Sequence, residues 1–213
     1  MISINRRKKR LKELEKTSSE FKKKTAGMSL EDTYDFYKKH CRQFRYNTEE
    51  TKQEFKTMNQ GRCSFCTKYI SEFDTEMTVE HIRVKRDYPR KIYEWGNLLC
   101  SCHTCNTKRN VKSYSKEKYL DPTKVEGIEK YFLFELDGEI VPNGKLPAEE
   151  QEKAQYMIDL YDLNRETLVN ERRDFMNKLI VDEQLYKSLK QLDSDDQSII
   201  YLSVFTYYKG VYK

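Results

Sequence analysis

Two Cys-x-x-Cys pairs place the strongest constraint on the fold of this 213-residue chain. Cys63 pairs with Cys66, Cys102 pairs with Cys105, and 35 residues lie between the pairs. Four thiolates can meet at one point only if that intervening segment folds back on itself, and they then form a closed tetrahedral Zn²⁺ site. A redox pair, a disulfide or chance are the alternatives, but each must explain why two pairs share one spacing. The pattern therefore predicts structural zinc.

Three other residues could be mistaken for ligands. His103 lies inside the second pair and could replace a cysteine, but a regular Cys-x-x-Cys turn favours the two sulfurs. Cys41 lies at helical spacing from Tyr37 and Phe44, which predicts a small buried hydrophobic side chain. Cys100 is interpreted as the end of a buried strand. We expect both cysteines to be bystanders of the zinc site.

The distribution of charge is more informative than its total. The chain carries 40 Lys and Arg against 35 Asp and Glu, a formal charge of +5, which only hints at nucleic acid. Residues 1–24 carry ten basic side chains against three acidic ones, and a solvated basic tail is the favoured interpretation. Residues 83–91 carry five against one, directly after Glu80 and His81. Basic side chains there are what binding of a phosphate backbone requires.

The sequence does not suggest a membrane protein. No apolar run approaches the roughly 18 residues that a membrane span needs, and the basic start is not followed by an apolar signal core. We therefore expect a cytoplasmic protein with no membrane partner. With 37% hydrophobic residues, a chain of this length can bury one moderate core or two small ones.

Periodicity predicts an α+β fold in which a zinc-centred insert is flanked by helical segments. Three regions are expected: residues 1–60 as an N-terminal helical segment, 61–118 as the zinc-bound core, and 119–213 as a hairpin with a C-terminal helical region. The predicted helices cover residues 29–46, 48–60, 147–162, 165–190 and 194–208, with a short one starting near Asn106. The predicted strands cover residues 78–82 and a hairpin at 131–141.

The residues between and beside the cysteine pairs suit phosphodiester hydrolysis. That reaction needs an activated water and a cation near the phosphate. His81, with an ordinary pKa of about 6.5, suits the role of general base, although a surface or zinc-site histidine is the alternative. Glu80 and Asn106 offer hard oxygen ligands to Mg²⁺ or Mn²⁺. Since adjacent strand residues point to opposite faces, Glu80 joins His81 only if a twist or the metal brings it round.

Asn97 is the fourth candidate of this site. It lies in the segment that returns toward the second cysteine pair and could fix the backbone of the loop that presents His81. An asparagine that merely caps a turn is the alternative.

The chain resembles the ββα-metal HNH endonucleases, and more narrowly the retron-associated and Septu-type HNH proteins of bacterial antiphage defence. Four motifs carry the resemblance: Cys63-x-x-Cys66, Glu80-His81-Ile-Arg83-Val-Lys85, Trp95-Gly-Asn97-Leu-Leu and Cys102-x-x-Cys105-Asn106-Thr-Lys108. Further similarity lies at Ile2–Arg7, Leu120-Asp121-Pro122, Asp137-Gly138 and Asp162-Leu-Asn164, so the resemblance covers most of the chain. The sequence differs from the usual pattern where Val84 stands for a proline and Arg109-Asn110 for a glycine.

The resemblance implies a zinc-stapled ββα-metal HNH core that acts as a DNase. His81 is then the general base, Asn97 the middle residue of the motif, and Asn106 the position that ligates the catalytic ion. The implied nucleic-acid contacts are the basic residues that follow these motifs: Arg83, Lys85, Arg86, Lys108 and Arg109. The implied partners are DNA and an ATPase related to ABC and SMC proteins, in some systems with a retron reverse transcriptase and its DNA. The helical flanks would serve as docking surfaces.

Two other classes of protein remain as alternatives. A zinc-knuckle module that binds nucleic acid without cutting it would use the same cysteines and basic loop, but it has no use for Glu80, His81 and Asn106 in their order. A structural subunit that scaffolds an ATPase would use the long charged helices instead. The chain has no Walker-type glycine loop, so any ATP dependence must come from a partner.

Overall fold

The computed structural model describes residues 1, 3–6, 11–70, 77–181, 187, 191, 201 and 204. The helices of this part are α1 Lys12–Lys24, α2 Leu30–His40, α3 Glu49–Met58, α4 His103–Lys108, α5 Ala148–Leu160 and α6 Glu166–Val181. The strands are β1 Met77–His81, β2 Leu98–Cys102, β3 Phe132–Phe134 and β4 Ile140–Pro142. The predicted α+β class is confirmed. No helix among the described residues has the length and apolarity that would cross a bilayer.

A small ββα unit lies at the centre of the chain. β1 and β2 pair antiparallel with His81 opposite Leu98 and Glu80 opposite Leu99, and α4 begins directly after β2. Every residue of β2 is buried, because neighbouring elements cover the strand on both faces. The end of β1, the start of β2 and α4 are therefore held close together, and these elements carry the candidate site residues.

The N-terminal region shows where the sequence prediction and the structure differ. Residues 12–24 are not a solvated tail, because Leu14 and Phe21, seven residues apart, bury the inner face of α1. α2 begins as predicted, with Ser29 Oγ accepting a hydrogen bond from the Asp32 amide at 3.0 Å. It ends at His40 rather than near residue 46, since the chain turns there and packs Phe44 edge-on against Phe21. Cys41 is consequently exposed, and the prediction that it is buried is wrong.

The C-terminal region packs on the central unit through one continuous hydrophobic core. β3 and β4 form the predicted hairpin, and α5 packs against β4. Tyr201 and Val204 are buried. The predicted helix at 194–208 and the end of the one at 165–190 lie outside the described residues, apart from single positions. The boundaries of the three regions stay a prediction.

Candidate active site and metal centre

The four predicted cysteines converge on one buried point. Their sulfur atoms all lie within 4.8 Å of one another, and the Sγ atoms of Cys66 and Cys102 are 4.0 Å apart. Zn–S bonds of about 2.3 Å in a tetrahedron place neighbouring sulfurs about 3.8 Å apart, so the thiols fit a zinc ion. His103 is exposed on α4 and contacts Thr107 instead. The site could therefore hold zinc with sulfur ligands alone.

The surroundings of the thiols suit thiolate ligands. The amide nitrogen of Phe65 donates to Cys63 Sγ at 3.5 Å, and that of Cys105 donates to Cys102 Sγ at 3.4 Å. Arg165, just before α6, donates from Nη2 to Cys105 Sγ at 3.5 Å. Four thiolates around Zn²⁺ carry a net charge of −2, which this guanidinium partly offsets. Sequence analysis missed Arg165, because nothing in the pattern links α6 to the cysteine pairs.

His81 ends β1 with its ring held in one orientation. Its Nε2 lies 3.0 Å from the carbonyl oxygen of Ile92. Because a carbonyl only accepts, Nε2 carries the proton, and Nδ1 is the proton acceptor of the ring. Burial lowers the pKa of His81 to about 3, with a further contribution from Lys85. The imidazole is therefore neutral at physiological pH, as a general base must be.

Asn97 fastens the loop that holds the His81 ring. Its Oδ1 accepts from the amide of Arg83 at 2.8 Å, and its Nδ2 donates to the carbonyl of Lys91 at 3.0 Å. Its own carbonyl accepts from the Ile82 amide at 2.9 Å. The side chain thus joins both ends of the basic loop beside the residue whose carbonyl binds His81. It does more in this structure than cap a turn.

Glu80 and Arg109 form a buried ion pair that the sequence analysis did not foresee. Arg109 Nη1 donates to Glu80 Oε1 and to the carbonyl of His81, and its Nη2 donates to the carbonyl of Ile82 at 2.7 Å. Burial raises the pKa of Glu80, and Arg109 opposes this shift. The Arg109 side chain is fully buried in these contacts, and that it binds nucleic acid stays a prediction.

Three tyrosine rings surround the Arg109 guanidinium. The centroids of Tyr114, Tyr119 and Tyr161 lie 5.5, 5.9 and 5.5 Å from its central carbon. Cation–π contacts of this kind stabilise a desolvated guanidinium. Arg109 therefore supports the backbone at His81 from the side of the C-terminal region.

The other predicted basic residues lie around this centre with different exposure. Arg86 is exposed and pairs with Asp87 at 2.8 Å. Arg83 is half-buried, with its guanidinium over the Tyr88 ring, while Lys108 at the end of α4 is exposed. Positive charge is thus available at the rim of the site.

Lys85 and Asn106 complete the predicted set. Lys85 is half-buried and donates from Nζ to the hydroxyl of Tyr46 at 3.3 Å. Asn106 is half-buried on α4, one residue after the last cysteine of the zinc site. Tyr46 was missed by the sequence analysis, because it lies outside every motif.

Comparison with known proteins gives three relatives and no matching family profile. The chain is 36% identical over 66 residues to the Septu protein PtuB of Bacillus thuringiensis, a match that covers 31% of this chain and 26% of the relative. It is 29% identical over 130 residues to a protein of Vibrio cholerae serotype O1 biovar El Tor whose name proposes an HNH endonuclease of retron Vc95, a match that covers 58% of this chain and 62% of the relative.

A third relative is the Septu protein PtuB of Bacillus mycoides strain KBAB4, 27% identical over 151 residues, with 60% of this chain and 51% of the relative covered. The chain thus spans less than two thirds of the length of each relative. The resemblance to HNH endonucleases of the Septu and retron type, predicted from the motifs, is confirmed by these relatives.

Proposed function

We propose that this chain is a metal-dependent HNH endonuclease that hydrolyses DNA phosphodiester bonds. The observation that carries the proposal is the state of His81. Its imidazole is neutral, the Ile92 carbonyl holds Nε2–H, and Nδ1 is left as the proton acceptor. The fixed orientation of this ring at the end of β1, beside Asn97 and α4, is what favours a catalytic role over a binding module or a scaffold.

The proposed reaction is a simple hydrolysis. Nδ1 of His81 takes a proton from a water molecule as the water oxygen forms a bond to phosphorus. The bond between phosphorus and the leaving 3′ oxygen breaks, and that oxygen takes a proton from solvent. Lys85 and Arg83 would bind the phosphate, while Asn97 keeps the loop and the ring aligned.

A Mg²⁺ or Mn²⁺ ion would supply positive charge at the scissile phosphate. Asn106 fits such an ion, because its half-buried amide offers a hard oxygen, and no hydrogen bond to a described side chain engages it. Glu80 fits less well, since its Oε1 is bonded to Arg109. We therefore assign the ion to Asn106, and we assign Glu80 to the support of the His81 backbone.

We propose a place in antiphage defence as the effector subunit. The support is the similarity to Septu and retron proteins. An ATPase related to ABC and SMC proteins is the proposed partner, and in a retron setting a reverse transcriptase with its DNA would join the assembly.

Cleavage of DNA by the zinc-loaded protein tests the proposal. Plasmid and single-stranded DNA are incubated with Mg²⁺ or Mn²⁺, with EDTA, or with zinc as the only metal. We expect cutting only where Mg²⁺ or Mn²⁺ is present, and loss of at least about 100-fold in His81→Ala, as is usual on removal of a general base. His40→Ala, a histidine outside the central unit, is the matched control and should cut like the wild type.

If the chain alone does not cleave DNA, the assay is repeated with the proposed ATPase partner. A wild type that cuts neither alone nor with this partner, or a His81→Ala variant that cuts like the wild type, would contradict the nuclease assignment. Retained DNA binding in His81→Ala would show that the variant lost chemistry and not its fold.

A further inference from the structure

One tyrosine from outside the HNH motifs reaches the proposed general base. Tyr46 lies in the segment between α2 and α3, 35 residues before His81 in the sequence. Its ring meets the His81 ring edge to face, with centroids 4.6 Å apart and an interplanar angle of 89°. Edge-to-face contact at this distance is favourable and fixes the plane of the imidazole. The N-terminal region therefore contributes directly to the orientation of His81.

The same tyrosine also binds the lysine that follows His81 in the basic loop. The Lys85 ammonium donates to the Tyr46 hydroxyl at 3.3 Å and lies 5.7 Å from the ring centroids of both Tyr46 and Tyr37. A free lysine side chain loses rotamer entropy when it is ordered. Here that entropy is already lost before any substrate arrives.

Lys85 forms no ion pair at contact distance within the part of the chain that the structure describes. No described carboxylate lies within ion-pair distance of its ammonium, and the nearby Glu80 is bonded to Arg109. Burial acts to lower the pKa of Lys85, but Tyr46, Tyr37 and the nearby Glu80 carboxylate together outweigh it and the pKa is raised. An unpaired, half-buried ammonium beside a neutral imidazole is suited to an anionic ligand.

We propose that Tyr46 is a positioning residue of the nuclease centre, with its hydroxyl holding the Lys85 ammonium and its ring holding the His81 imidazole. Lys85 then neutralises the phosphate that is attacked by the water deprotonated at His81. This inference rests on the proposed function and adds a residue that none of the motifs contains.

A double-mutant cycle tests whether Tyr46 acts through Lys85. The variants are Tyr46→Phe, which removes only the hydroxyl, Lys85→Met, and the two combined. We expect Tyr46→Phe to lower kcat about tenfold, the usual effect of losing a hydrogen bond to a charged group, and to weaken DNA binding by a smaller factor, because Lys85 contacts the phosphate before and during attack. In the Lys85→Met background, the same substitution should change kcat less than twofold.

The control and a fourth variant separate positioning from folding. Tyr131→Phe removes a buried tyrosine hydroxyl from the C-terminal region and should leave kcat unchanged. Tyr46→Leu also removes the ring from His81, so it should lower kcat further, even when Lys85 is methionine. Thermal melts of all variants should agree within a few degrees. Additive losses in the cycle, or equal losses for Tyr46→Phe and Tyr131→Phe, overturn the proposal.

Binding to a fluorescent DNA duplex, measured by anisotropy without Mg²⁺ or Mn²⁺, makes the test independent of cleavage. If the wild type cuts DNA, the double-mutant cycle on kcat tests the role of Tyr46. If the wild type cuts neither alone nor with its partner, the proposed function fails, and the same cycle on binding affinity decides for Tyr46. Coupling between the two substitutions then supports the Tyr46–Lys85 arrangement, whereas additive effects or no binding overturn it.

Discussion

At the residue scale, Asn97 is the best test of how the loop supports the proposed base. Asn97→Ala removes the side-chain bonds to Arg83 and Lys91 and leaves half-buried backbone groups without partners. We expect a loss of about 1–3 kcal/mol in the free energy of unfolding. Cleavage should fall at least about tenfold, because the loop that carries the Ile92 carbonyl is released.

Urea unfolding and the cleavage rate measure the two effects of Asn97→Ala separately. Asn110→Ala is the matched control, since Asn110 is exposed and its backbone amide, not its side chain, binds Leu160. Equal stability of Asn97→Ala and the wild type would show that the loop does not depend on this side chain.

Burial of His81 predicts a pH dependence of stability. Its pKa falls from 6.5 in the unfolded chain to about 3 in the fold, because burial and Lys85 disfavour the charged ring. Because the pKa is depressed in the fold, the contribution of neutral His81 to the free energy of unfolding is fully present above pH 6.5. It is lost as the pH falls toward 3. Between pH 7.5 and 5.5 the expected loss in the free energy of unfolding is about 1.4 kcal/mol.

Urea unfolding at these two pH values, with zinc in excess, measures this loss. It should disappear in His81→Asn and persist in His103→Asn, because His103 is exposed. An unchanged pH dependence in His81→Asn would assign the titration to another group.

Some of the site was predictable from sequence and some was not. The cysteine spacing and the order of Glu80, His81, Asn97 and Asn106 identify the candidates, because metal ligands and catalytic groups recur at short fixed spacing. The burial of Arg109 could not be predicted, because an arginine that follows a lysine is expected at the surface. Only the tertiary structure shows the three tyrosines that surround it. Tyr46 was equally hidden, because its contact with His81 depends on how α2 and α3 pack.

At the scale of elements, the zinc site should decide whether the central ββα unit folds. The cysteines hold the first knuckle against β2 and α4, and binding of a structural zinc typically contributes about 10–16 kcal/mol. We expect Cys66→Ser to bind less than half of the wild-type zinc and to unfold at a lower temperature. Metal analysis and thermal melts measure these effects.

Cys41→Ser is the matched control for Cys66→Ser. Cys41 is a free and exposed cysteine outside the sulfur cluster, so it should match the wild type in zinc content and melting temperature. If the two variants behave alike, the sulfur cluster is not the zinc site.

Local signals predicted most elements but not their ends. Ser29 and Thr48 are true N-caps, and both accept hydrogen bonds from the amides three residues on. The end of α2 was missed, because Phe44 continues the aromatic spacing from within a turn. α1 was predicted to be a solvated tail because most of its residues are charged. Its two buried side chains, Leu14 and Phe21, are too few to indicate a packed helix from sequence alone.

At the scale of the whole molecule, the C-terminal region packs against the zinc knuckle and against Arg109, which contacts the His81 backbone. The Tyr161 ring stacks on Phe65 of the zinc knuckle, with centroids 3.8 Å apart, and also faces Arg109. Arg109 in turn binds the carbonyl of His81. Packing of the C-terminal region should therefore influence both the zinc site and the orientation of the base.

Gly138 allows a test of that connection at a distance from the site. It has a φ of +95°, and a Cβ added there would overlap the Val169 carbonyl and lie 2.9 Å from the Arg173 amide. Arg172 Nε also donates to the Gly138 carbonyl at 2.7 Å, so the hairpin turn and α6 meet backbone to backbone. Gly138→Ala should lower the free energy of unfolding by about 2–5 kcal/mol, because left-handed backbone strain and overpacking act together.

Gly144→Ala is the control for Gly138→Ala, because a Cβ at Gly144 meets nothing within 4 Å and the backbone there is not left-handed. It should leave the melting temperature unchanged or slightly raised. If the path from Tyr161 through Arg109 supports His81, Gly138→Ala should also lower the cleavage rate at temperatures where the zinc content is still complete. A variant that is destabilised but cuts at the wild-type rate below its melting temperature would show that the nuclease centre holds its geometry without help from α6.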